Sequence, residues 1–131
     1  MRLVIAAFVT LLAFSSCGQQ GNSGKDAYID ANPEKFSQLI ESGEGNLVDV
    51  RTPGEYAEGH IPGAKNFNVN GGAFKAQVSE LDKKEPVYVY CRSGGRSVTA
   101  SKQLKSMGFE KVYNLEDGFM SWQGAQMPTE K

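Results

Sequence analysis

The sequence predicts an α/β domain with a central, mainly parallel sheet of four to five strands and helices on both faces. Three observations carry that expectation. Short apolar runs of strand length alternate with segments whose apolar residues recur at helical spacing. The run Val87-Tyr88-Val89-Tyr90 is apolar at nearly every position, as in a strand covered on both sides. Residues 26–131 supply chain for one domain with a real core and too little for two.

Ahead of that domain, Met1-Arg2 leads into the apolar run Leu3 to Phe14 and then Ser15-Ser16-Cys17-Gly18, so residues 1–17 read as a secretory signal peptide. A bilayer-spanning helix takes about 20 residues, and this run is shorter. The small residues before Cys17 resemble the bacterial lipoprotein signal, which implies a lipidated Cys17 as the mature N-terminus. Phe14 departs from that signal, which usually has Leu there, and ordinary cleavage near Ser16 is the alternative. Residues 18–25 offer no apolar side chain to bury and read as a flexible tether. An exported, periplasmic protein held to a membrane through Cys17 is expected.

The domain opens with a strand at Ala27 to Asp30. Asn32-Pro33 then supplies an N-cap and a first helical residue, with Phe36, Leu39 and Ile40 on one face and Gly43 as the stop. Asn46 to Val50 is the next strand. Thr52-Pro53-Gly54-Glu55 is a capping box that predicts a short helix over Glu55 to Ala57. Gly59-His60-Ile61-Pro62-Gly63 is a turn, and Ala64 to Val69 a further strand. Phe74, Val78 and Leu81 place a helix over Ala73 to Leu81, after which Lys83 to Pro86 returns the chain to the central strand Val87 to Tyr90. Ala100, Leu104 and Met107 mark a helix ending at Gly108, and Lys111 to Leu115 a last strand.

Composition narrows the function. With 14 Lys+Arg against 15 Asp+Glu, no nucleic-acid or polybasic membrane surface is expected, and partners should be small or specific. There are two cysteines, and a lipid on Cys17 would leave Cys91 unpaired. One histidine and one unlipidated cysteine do not make a zinc site, so neither metal nor cofactor is expected. A monomer is expected.

Chemistry concentrates at Cys91-Arg92-Ser93-Gly94-Gly95-Arg96-Ser97, which follows the central strand and leads into a helix. Amides of such a Gly-rich turn can form an anion nest at a helix N-terminus, and two arginines add charge, conditions that turn a thiol into a thiolate. A buried inert cysteine is the alternative, but it needs neither Gly-Gly nor flanking arginines. In open α/β sheets, the carboxyl end of a strand is also where ligands bind.

The chain resembles the rhodanese family of sulfurtransferases through several motifs in order: Asp49-Val50-Arg51, Glu55-Tyr56, Gly59 to Ala64, Cys91 to Ser97, Gly108-Phe109, and Val112 to Leu115 with Gly118 and Trp122. The resemblance implies a rhodanese-like domain over 26–131. It implies a catalytic Cys91 that takes sulfane sulfur from thiosulfate or a persulfide, holds it as a persulfide, and passes it to a thiol, cyanide or protein acceptor. Arg92, Ser93, Gly94, Gly95, Arg96 and Ser97 would bind the anionic donor. Arg96 is the fifth residue after Cys91, a shorter ring than the Cys-x5-Arg loop of related phosphatases. A phosphatase or arsenate reductase is therefore the lesser alternative, beside a sulfur-carrier module with little turnover. His60 tempts as a general base, but the family uses its turn as structure. Asp49 with Arg51 is expected as a fold-stabilising pair, Glu55 as a cap, and Phe119 with Trp122 as core, with Trp122 as a pocket wall the other possibility. Asp117 stands where the family commonly has Gly and should adopt the left-handed conformation.

Overall fold

The structure is a computed structural model that describes residues 27–131. The expected signal peptide, Cys17 and the tether lie outside the described residues.

The elements run β1 (Ile29–Ala31), α1 (Pro33–Glu41), β2 (Asn46–Asp49), α2 (Pro53–Glu58), β3 (Lys65–Asn66), α3 (Phe74–Ser79), β4 (Val87–Tyr90), α4 (Gly95–Ser106), β5 (Val112–Leu115) and α5 (Gly118–Gly124). The five strands form one sheet in the order β1-β5-β4-β2-β3, and every neighbouring pair is parallel. Register pairs Val48 with Val89 on one side of β4 and Tyr88 with Tyr113 on the other. The fold class is the one the alternation of patterns predicts.

Strand β4 divides the core, because successive side chains point to opposite faces. Val87 and Val89 join Val48, Val50, Phe74, Val78, Ala100 and Leu104 on one face, under α3 and α4. Tyr88 and Tyr90 join Phe36, Ile61, Phe119 and Trp122 on the other, under α1 and α5. Trp122 is core: it meets Phe36 edge-on at 6.3 Å, and its indole N–H donates to the Pro128 carbonyl at 2.7 Å. The pocket-wall alternative for it falls away.

Helix starts follow their caps. The Asn32 side chain accepts from the Lys35 amide ahead of Pro33. Thr52 and Glu55 form the reciprocal capping box, and α2 starts two residues before the expected Glu55, at Pro53, and ends one after Ala57, at Glu58. The strand expected over Ala64 to Val69 is reduced to Lys65–Asn66. Phe67 and Val69 still donate to the Asp49 and Val50 carbonyls at 2.9 and 3.1 Å, but the Asn66 side-chain amide shares the Asp49 carbonyl and takes that of Arg51, and this edge peels off as coil. Helix α3 is likewise shorter than Ala73 to Leu81.

Two polar features outside the loop hold the frame. Asp49 is buried and receives Arg51 Nε at 2.9 Å and Nη2 at 2.7 Å, while Nη2 also donates to the Gly59 carbonyl. The guanidinium lies 4.4 Å from the Phe119 ring centre, so the pair ties β2 to α5. His60 stacks on Tyr56 at 3.7 Å, and its ring nitrogens meet the Tyr56 carbonyl at 2.9 Å and Glu130 Oε1 at 3.3 Å. Its backbone exchanges two hydrogen bonds with Glu130. Both readings of these residues as structure hold.

Candidate active site

Cys91 is the first residue past β4, at the carboxyl end of the central strand, and α4 begins four residues later at Gly95. The turn between them depends on two outside contacts. The carbonyls of Cys91 and Arg92 accept from the amides of Phe119 at 2.7 Å and Met120 at 3.0 Å, in the first turn of α5. That approach needs Gly118, where a Cβ would stand 2.6 Å from the Arg92 and Cys91 backbone. With those carbonyls drawn toward α5, the loop amides are left for the sulfur. The Gly94 N–H donates to Sγ at 3.0 Å, with Gly94 itself at φ +110°.

Ser97, in the first turn of α4, completes the environment. Its Oγ lies 3.4 Å from Sγ and donates to the Gly94 carbonyl at 3.1 Å. The hydroxyl can turn its proton to the sulfur once the thiol ionises. Burial pushes the Cys91 thiol up, at 1% exposure, but the Ser97 hydroxyl and the amides of Ser97, Gly94 and Ser93 outweigh it and hold the group below an ordinary thiol. A thiol held in this way departs from a structural cysteine in an apolar core, whose pKa moves the other way.

The arginines divide. Arg96 does not present a free charge: Nη1 and Nη2 donate to Glu55 Oε1 at 2.7 Å and Oε2 at 2.9 Å, a bidentate pair across the loop. The sequence expectation drew on both arginines for an anionic donor; here Arg96 is held by Glu55, while Arg92 is not. The sequence offers Glu55 only as a cap, and the structure gives it a second task. The Arg96 guanidinium holds the Glu55 carboxyl down to about 2. Arg92 is exposed and lines a cleft of about 380 Å³ with Arg51, Glu55, Glu58, Phe119 and Met120. Gly95 opens α4, and Ser93 acts through its amide. Asp117 is left-handed at φ 58°, and its amide would lie 3.6 Å from a Cβ on Gly94, so it packs behind the loop. Glu58 and the α5 amides were not singled out by motif; a backbone amide has no sequence signature.

Residues 32–125, which include the Cys91 loop at the end of the central strand, match the Rhodanese-like domain. The chain belongs to the rhodanese-like family. Among its relatives, a protein named sulfurtransferase from Allochromatium vinosum is 36% identical over 100 residues, covering 76% of this chain and 92% of that one. YrkF of Bacillus subtilis, named a candidate sulfur carrier protein, is 32% identical over 108 residues, covering 82% of this chain. The chain spans only 57% of the length of YrkF. The rhodanese-like fold recurs in the crystal structure of the Alr3790 protein from Anabaena, with a TM-score of 0.69 at 29% identity, covering 76% of this chain and 90% of that one.

Proposed function

We propose that this rhodanese-like domain is a sulfurtransferase that relays sulfane sulfur through a Cys91 persulfide. The observation that carries the reading is the buried Cys91 Sγ receiving the Gly94 amide at 3.0 Å inside a loop of converging amides. The thiolate attacks the sulfane sulfur of thiosulfate or an organic persulfide. The donor S–S bond breaks, and sulfite or the donor thiolate leaves with the electron pair. The enzyme persulfide is itself an anion, so the same amides hold it without reorganisation. A thiol, cyanide or protein acceptor then attacks the outer sulfur and restores the Cys91 thiolate, splitting one transfer into two displacements.

Incubation with thiosulfate and cyanide should release thiocyanate, and Cys91→Ser should abolish it. A mass gain of one sulfur atom on Cys91 without turnover would favour the carrier role, which the name of YrkF supports. No sulfur uptake from thiosulfate, polysulfide or persulfide would overturn both. The phosphatase alternative is weakened by Arg96, whose donors are occupied by Glu55 and not free for a phosphate. Phosphate release from an aryl phosphate, lost in Cys91→Ser, would restore it. The domain is further proposed to be exported and lipid-anchored at Cys17. Membrane fractionation of the full chain and of Cys17→Ala should then differ, and identical soluble distributions would refute the anchor.

A further inference from the structure

Resting on the persulfide reading, we propose that Glu55 is a specificity-determining residue. By occupying Arg96 it leaves the site with too little positive charge to favour the thiosulfate dianion, and turns it toward a singly charged organic persulfide.

The contact is built into the fold. Both Arg96 nitrogens reach separate Glu55 oxygens, at 2.7 and 2.9 Å. The carboxylate is set from behind by the α2 capping box, where Glu55 Oε1 accepts from the Thr52 hydroxyl at 3.1 Å and its backbone amide at 3.4 Å. Both side chains are only 28% exposed, so the pair is partly shielded from solvent. A loop with two arginines therefore presents one.

The remaining charges do not replace what is lost. Two guanidiniums, Arg51 and Arg92, face two carboxylates, Glu55 and Glu58, around the cleft beside the loop. Arg51 is committed to buried Asp49, whereas the Arg92 guanidinium makes no ion pair among the described residues. Such a lining nearly cancels, so it does little to offset the desolvation of an anion, a cost that rises steeply with charge and weighs more on a dianion than on a monoanion. An organic persulfide brings a single net charge for Arg92. It also brings a carbon body that can lie against Phe119 and Met120, the latter 54% exposed.

In loading, the Cys91 thiolate attacks the sulfane sulfur, the donor S–S bond breaks, and a thiolate leaves with the pair. Sulfite takes the same place when thiosulfate is the donor. The two donors thus share the bond-making step and differ in charge, which makes their ratio a readout of the local field.

The test compares single-turnover loading of Cys91 by thiosulfate and by cysteine persulfide, followed by mass, in the wild type, Glu55→Gln and Arg96→Gln. Glutamine keeps the shape of Glu55 and releases the Arg96 charge. The thiosulfate-to-persulfide ratio of rate constants should rise about tenfold at low ionic strength, and the rise should shrink with added salt. Arg96→Gln leaves Glu55 unopposed, and the ratio should fall. Simple loosening of the loop would slow both donors together in both variants. A ratio that does not move in Glu55→Gln, or moves the same way in both variants, overturns the role of Glu55. Failure of both donors to load the wild type overturns the persulfide reading itself.

Discussion

Ionisation of Cys91 turns on a small balance, since burial opposes it and a few donors favour it. Ser97 is the donor whose loss alters least else. In Ser97→Ala the buried sulfur keeps its desolvation cost and loses a hydroxyl, so the thiol should ionise at higher pH and the thiolate fraction at neutral pH should fall. A charge-assisted hydrogen bond contributes about 1.5–3 kcal/mol, so iodoacetamide alkylation of Cys91 at pH 7 should slow about tenfold or more. The full rate–pH profile should shift upward. An unchanged profile would mean the hydroxyl serves only the Gly94 carbonyl, 3.1 Å away. The contact of Cys91 with Ser97 was legible because the whole loop is contiguous in sequence. The Arg96 pairing was not, because Glu55 stands 41 residues away and already had a sufficient local explanation in Thr52.

Between elements, the decisive contact is the seating of α5 against the carbonyls that follow β4. Gly118 combines φ +64° with backbone atoms 2.6 Å from where a Cβ would be. Gly118→Ala should therefore cost roughly 2–3 kcal/mol in urea unfolding and slow Cys91 alkylation as the loop amides turn. Gly124, at the other end of α5, has nothing within 4 Å of a Cβ, and Gly124→Ala is the matched control, neutral or slightly stabilising. Equal losses in the two variants would refute the seating. Elements with a local signal were readable: Asn32-Pro33 and the capping box start α1 and α2, and β4 has the composition of a covered strand. The edge at Ala64 to Val69 was read as a strand, but past Asn66 the ladder fails: the Arg51 carbonyl goes to the Asn66 side chain and the Arg51 amide to the Asp49 carboxylate.

For the molecule as a whole, the chain closes on itself at Glu130. Its backbone pairs with His60 at 2.8 and 2.9 Å, and Oε1 also accepts the Gly63 amide at 3.1 Å. The clasp braces the turn after α2, the helix that carries Glu55. Deleting Glu130 and Lys131 should remove about 1 kcal/mol or more and lower Tm by roughly 4–8 °C, measured by calorimetry. A contact 70 residues long in sequence has no local pattern and could not be anticipated. The α5 seating has one more consequence, in time and not in energy. The first amides of a helix have no acceptor within it and ordinarily exchange with solvent deuterium quickly. Those of Phe119 and Met120 are held by Cys91 and Arg92, so they should exchange slowly, and only when the sulfur loop lifts away from α5. Two backbone protons on a neighbouring helix thus keep a clock on how often the loop opens, with and without sulfur bound.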